Sequence, residues 1–164
     1  MSQIDSAVKR KFKCREGSVF EVETNCLKLS KVLKDIDYDF PDPYMEIPLM
    51  NVKGKTFEKI IEYLKHYQTE KPKDIQMPLP GPDLKPPVLD QWDYDYISKF
   101  SYQECIDLIN DANYLDIDEL VTLVSVRLAL EMINDEDEEI REKLINEVKY
   151  NDLINKIILF KNNL

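Results

Sequence analysis

The segment that most constrains this chain is residues 120–133, LVTLVSVRLALEMI, which reads as a helix with no solvated face. Leu120, Val121, Leu123, Val124, Val126, Leu128, Ala129, Leu130, Met132 and Ile133 make it apolar almost all round, where a surface helix carries a single stripe. Such a helix must be covered on both sides. A shorter amphipathic helix precedes it. Ser101 with Glu104 three residues later is a capping-box pair, and Cys105, Leu108, Ile109 and Ala112 then recur at helical spacing. Asn113 and Tyr114 close that helix, and Asp116 with Glu119 opens the apolar one in the same way. Two coverings are open: the chain wraps its own helix, or one face waits for another protein, since a small domain has little material to spare.

With 164 residues the chain has room for one domain, or one domain and a short extension. Its 32 acidic against 22 basic residues give a net charge of −10, which argues against nucleic acid and anionic membranes and leaves proteins as the expected partners. Cys14, Cys26 and Cys105 are odd in number, lack metal-ligand spacing and follow no signal peptide, so a reducing intracellular compartment is expected. No apolar run approaches the roughly 20 residues of a membrane span.

In the N-terminal half, Phe12 and Cys14 share one strand face, residues 15–18 form a turn around Gly17, and Val19, Phe20 and Val22 continue as a second strand. The basic residues from 9 to 13 blunt a sheet edge. Asn25 caps a short helix carrying Leu29, Val32, Leu33 and Ile36. Asp35, Asp37, Asp39 and Glu46 fall at EF-hand ligand spacing, but Phe40 replaces the required glycine and Pro41 and Pro43 stiffen the loop, so an acidic solvated segment is expected and no metal. Met45, Ile47 and Leu49 alternate as a third strand, and Thr56 introduces a helix with Phe57, Ile60, Ile61 and Leu64 buried, ending at His66. That histidine has no nucleophile near it in sequence.

Residues 68–90 hold six prolines and read as a flexible linker, with proline-module docking as the alternative. The aromatics of WDYDYISKF, from Trp92 to Phe100, return the chain to the domain. Beyond 133, a helix from about Glu136 presents Ile140, Leu144 and Val148, and a second presents Leu153, Ile154, Ile157 and Ile158. These stripes either pack back on the domain or join the apolar helix in forming a groove for a partner's helices.

At ANYLDI, residues 112–117, the chain resembles the S-phase-kinase-associated adaptor family, whose members join F-box proteins to a cullin in SCF ubiquitin ligases. KFKCREGSVFEVE resembles the family's opening hairpin, IPLMNV from Ile47 its I/V-P-L-P-N-V, and EEIR from Glu138 its P-E-E-I-R; the proline-rich stretch followed by Trp92 and Asp93 also fits. The resemblance implies an α+β, BTB/POZ-like fold over residues 1–133, a three-stranded sheet with helices, and a C-terminal helical extension over 134–164. It implies a non-catalytic adaptor without cofactors, working in cytoplasm and nucleus, with F-box proteins and a cullin as partners and a homodimer as the form of the free protein. An elongin-C-like or other BTB interaction module is the alternative. By resemblance, Asn113 and Tyr114 face the cullin, and Cys105, Ile106, Ile109, Leu120, Val121, Leu128, Met132, Ile140 and Leu144 face the F-box. The chain departs from the family in two places. Asp137 stands where a proline is usual, so the prolyl hydroxylation known in some protist members cannot occur there, and the last segment is apolar, without the acidic residues and tryptophan that touch the partner.

Overall fold

The computed structural model describes residues 8–134 and 138–163. Its contacts divide the chain into two compact units, Met1–Pro72 with Asp111–Asp118, and Lys73–Asn110 with Glu119–Leu164. These limits differ from the division at 133 that the resemblance implies.

The first unit is built on a hairpin. Strands β1 (Lys9–Cys14) and β2 (Val19–Glu23) pair antiparallel with Phe12 opposite Phe20, and β3 (Glu46–Leu49) pairs parallel to β1, giving the order β2-β1-β3. The turn closes through the Cys14 and Gly17 amides, and Gly17 takes φ +91°, a left-handed conformation that glycine adopts without strain. Alternation places Phe12, Cys14, Ile47 and Leu49 inward. Met45, read as part of the third strand, lies just before it and is exposed. Arg10, on the inward face of β1, is 8 % exposed and ion-paired with Asp37, which satisfies a charge that would otherwise be costly to bury.

Helix α2 (Gly54–His66) lies against β2 and buries Phe57, Ile60, Ile61 and Leu64 as its spacing requires. The Phe57 ring meets Phe12 and Phe20 edge-on, with centroids 5.8 and 5.6 Å away. Helix α1 (Lys31–Asp39) is capped by Ser30, whose Oγ accepts from the Leu33 amide; Asn25 instead belongs to a 3-10 turn, Thr24–Leu27, that buries Cys26 and Leu27.

The second unit contains α3 (Gln91–Ser98), α4 (Tyr102–Tyr114) up to Asn110, α5 (Asp118–Asn134) from Glu119, α6 (Glu138–Glu147) and α7 (Asn151–Asn162). The proline-rich stretch read as a linker buries Leu79, Leu84 and Leu89; an amide of Leu89 bonded to the Leu84 carbonyl at 3.2 Å folds the last two into one turn. In α3, Trp92 stacks on Tyr96, which meets Phe100 edge-on. Helix α5 is covered: Leu120, Val121, Leu123, Val124, Val126, Leu128, Ala129, Leu130 and Met132 are all buried, and Ile133 at its end is 36 % exposed. Ser125, buried among them, donates to the Val121 carbonyl one turn back at 2.6 Å, so its hydroxyl is satisfied within the helix. Among the described residues no helix is long and apolar enough to cross a membrane. The expected helix start near Glu136 lies outside the described residues.

Candidate protein-docking surfaces

Helix α4 carries the first group of candidates, and both of its ends are explained by its own sequence. At the start the Ser101 amide donates to the Glu104 carboxylate at 2.7 Å and the Glu104 amide to Ser101 Oγ at 3.2 Å, a reciprocal capping box. At the far end the Ile117 amide reaches back to the Ala112 carbonyl at 3.0 Å and the Asp116 amide to Asn113 at 3.1 Å, with Asp116 at φ +55°. This is a Schellman closure. Asp116 therefore ends α4; the sequence pattern had it opening α5, which starts at Asp118.

That corner belongs to the first unit and is pinned there. Ser30 Oγ donates to the Leu115 carbonyl at 2.6 Å while capping α1, and the Asp111 carboxylate accepts from the Lys53 amide at 3.3 Å. On it Asn113 is half-buried and Tyr114 is 37 % exposed. A tyrosine displayed from a rigid corner offers a large ring and a hydroxyl with little ordering entropy left to lose, which suits a contact that fixes orientation.

The second group lies in the other unit. Cys105, Ile106, Ile109, Leu120, Val121, Leu128, Met132 and Leu144 are all buried, and Ile140 is half-buried. The structure thus brings these residues into one unit but does not leave them as an open groove. The tail helices pack back: α6 buries Leu144, with Val148 just beyond it, and α7 buries Leu153 and Ile157. Four side chains absent from the sequence reading fasten them. Tyr102 Oη donates to the Ile140 carbonyl at 3.0 Å. Asn110, 5 % exposed, donates through Nδ2 to the Glu147 carbonyl at 3.0 Å and accepts the Lys149 amide at 2.9 Å. Lys156 Nζ donates to Thr122 Oγ1 at 2.9 Å. The one legible signal was Asn110 itself, an amide next to Ile109 inside an apolar helix stripe. Burial, with the Glu131 and Glu147 carboxylates, pushes the Tyr102 hydroxyl well above the usual phenol range, so it stays a donor.

Cys14 and Cys26 are held in their protonated form. Burial, reinforced by Glu16 and Asp111, pushes Cys14 up to about 12, and burial with Glu23 raises Cys26. Asp37 of the calcium-like run is engaged by Arg10, and no group of three or more metal-ligating side chains converges among the described residues.

Residues 9–69 match the Skp1 family, tetramerisation domain. Over 127 residues the chain is 30% identical to the S-phase kinase-associated protein 1 homolog of Tetrahymena thermophila, covering 77% of this chain and 75% of that one. It is 34% identical over 139 residues to SKP1-like protein 10 of Arabidopsis thaliana (82% and 80% covered), and 29% identical over 137 residues to the SCF ubiquitin ligase complex protein SKP1a of Dictyostelium discoideum (80% of each).

Proposed function

Because this chain belongs to the Skp1 family, we propose that it is the adaptor subunit of an SCF-type cullin-RING ubiquitin ligase, bridging a cullin to F-box substrate receptors. The observation that carries this reading is a similarity running across three quarters or more of the chain and of its relatives, one of them an SCF ubiquitin ligase complex protein by name. It favours the SCF adaptor over the elongin-C-like alternative. Surplus apolar surface, the physical argument the sequence alone suggested, does not support it, because α5 is covered in this structure.

The adaptor is non-catalytic: it works by holding two partners at a fixed separation, and its raised thiol pKa values fit a chain that offers no activated nucleophile at Cys14 or Cys26. Asn113 and Tyr114 supply the cullin contact from the pinned end of α4, and the α4, α5 and α6 residues named above supply the F-box contact. Three cysteines that form no disulfide support a reducing compartment, the cytoplasm and nucleus.

The test is direct binding of a purified cullin N-terminal domain to the full chain carrying Asn113→Lys and Tyr114→Lys. A lysine charge in place of a central aromatic contact should cost at least about 2 kcal/mol, or roughly thirtyfold in Kd. Unchanged cullin affinity in a folded double variant would remove this corner from the interface.

A further inference from the structure

The proline-rich stretch leading into α3 encloses a groove of about 690 Å³ within the second unit, a size that takes a drug-sized ligand or a few residues of peptide. One wall is residues 73–76, and the other is residues 86–91 with Asp93. The second wall is rigid. The rings of Pro86 and Pro87 lock their own φ, the Val88 amide donates to the Lys85 carbonyl at 3.1 Å, and Leu89 is buried. The first wall differs: the chain from 71 to 76 runs without helix, strand, turn or bend, and the backbone N–H and C=O groups of Asp74, Ile75 and Gln76 bond to no described residue. A straight segment with open backbone groups is a template for one more strand.

The groove is also negative. Asp74, Asp90 and Asp93 line it against Lys73, in a chain whose net charge is −10. Asp90 has spare capacity. It stands at the N-cap of α3, where an aspartate ordinarily accepts from the first amides of the helix, yet its carboxylate makes no such bond and lies 3.9 Å from Lys73 Nζ. That pair is loose, because the Lys73 side chain is 84 % exposed. Ile75 and Val88, both half-buried, supply apolar surface beside these charges.

We propose that this groove is a docking site for an extended peptide segment of another protein that carries an arginine or lysine: its backbone pairs with residues 74–76, its apolar side chains rest on Ile75 and Val88, and its cation is held by Asp74 and Asp90. The same carboxylates select against acidic segments. None of these residues belongs to the cullin or F-box surfaces named above, so the site stands or falls apart from the adaptor reading.

The experiment reads fluorescence polarisation of labelled, end-capped peptides Val-Thr-Val-X-Val-Thr-Val, with X arginine, methionine or glutamate, on the full chain at about 0.15 M salt, and locates binding by amide NMR shifts. The arginine peptide should bind about tenfold tighter than the methionine peptide and tighter still than the glutamate one, with shifts centred on residues 73–93. Asp74→Asn with Asp90→Asn, both on exposed residues, should weaken the arginine peptide about tenfold. Asp35→Asn with Asp39→Asn removes the same charge from exposed residues of the first unit and should leave its Kd unchanged. Methylation of the peptide's backbone amides should also cost about tenfold. The proposal is overturned if the arginine peptide does not bind, if it binds no tighter than the methionine or glutamate peptide, if amide methylation leaves its Kd unchanged, if the shifts centre elsewhere, or if both pairs of aspartate substitutions weaken it equally.

Discussion

The two units are held by different kinds of contact. In the first, long-range directional contacts fix the arrangement: Phe57 edge-on to two rings, Arg10 on Asp37, Ser30 between α1 and the Leu115 carbonyl, and Glu16 on the start of α2. In the second, an aliphatic helix is buried along most of its surface, its neighbours are fastened at a few polar points, and α4 is capped by residues adjacent to it in sequence. Aliphatic burial is nearly indifferent to orientation, whereas rings and caps are not. The first unit should therefore be sensitive to shape and the second to volume and to its fastenings.

The largest expected effect tests that contrast at the two cores. Phe57→Ala should cost about 4 kcal/mol in urea unfolding, because it removes a fully buried ring and both edge contacts, and Leu128→Ala about 3 kcal/mol. A larger loss at Leu128 than at Phe57 would reverse the contrast.

Gly54→Ala comes next and is decided by sign. In an unconstrained helix position the change stabilises by about 0.4–1 kcal/mol. Here the added Cβ would stand 2.4 Å from Ser18 Oγ and 3.0 Å from Glu16 Oε2, against the loop that caps the helix. Destabilisation of about 1–2 kcal/mol is expected, read as a lowered urea midpoint. A raised midpoint would mean that the loop yields freely and that the first unit is less shape-bound than argued.

Ser101→Ala removes the local cap of α4 and should cost about 1 kcal/mol in the same measurement. The smallest effect belongs to the remote cap. Both Glu16 carboxylate oxygens accept from the Gly54 amide, at 3.1 and 2.9 Å, and this bond lowers the Glu16 pKa below its ordinary value of 4.5. A depressed carboxyl pKa gives stability that is present above the unfolded value and lost as pH falls through the folded one. Melting temperature should therefore fall more steeply below about pH 4.5 in the wild type than in Glu16→Gln, with the two curves parallel at neutral pH. Parallel curves across the acid range would show that the cap adds nothing to folding.

Much of the fold was legible because period and local chemistry agree. Alternation gave the hairpin at Phe12, Cys14 and Val22, Gly17 gave its turn, the 3.6 spacing gave the buried face of α2, and Ser101 with Glu104 gave the start of α4. The misplaced helix ends share one cause. Asn25, Thr56 and Asp116 were read as helix openers from sequence neighbours, but the ends of α1, α2 and α4 are set by Ser30 against residue 115, by Glu16 against residue 54, and by a left-handed residue closing one helix. The candidate site divides the same way. Tyr114 at an exposed corner followed from the motif, while Tyr102, Asn110, Thr122 and Lys156 were invisible as a set, since what joins them is the course of the tail.

Sequence alone determined that this chain has a three-stranded sheet, a helix apolar all round and further apolar stripes beyond it, because hydrophobic period and short-range capping are properties of neighbours along the chain. What covers that helix was decided only in three dimensions. Apolar side chains specify that they must leave water without specifying whose surface they meet; the chain's own tail is held in this unit by a few part-buried hydrogen bonds, from Lys156 to Thr122 on α5 and with Tyr102 and Asn110 on α4.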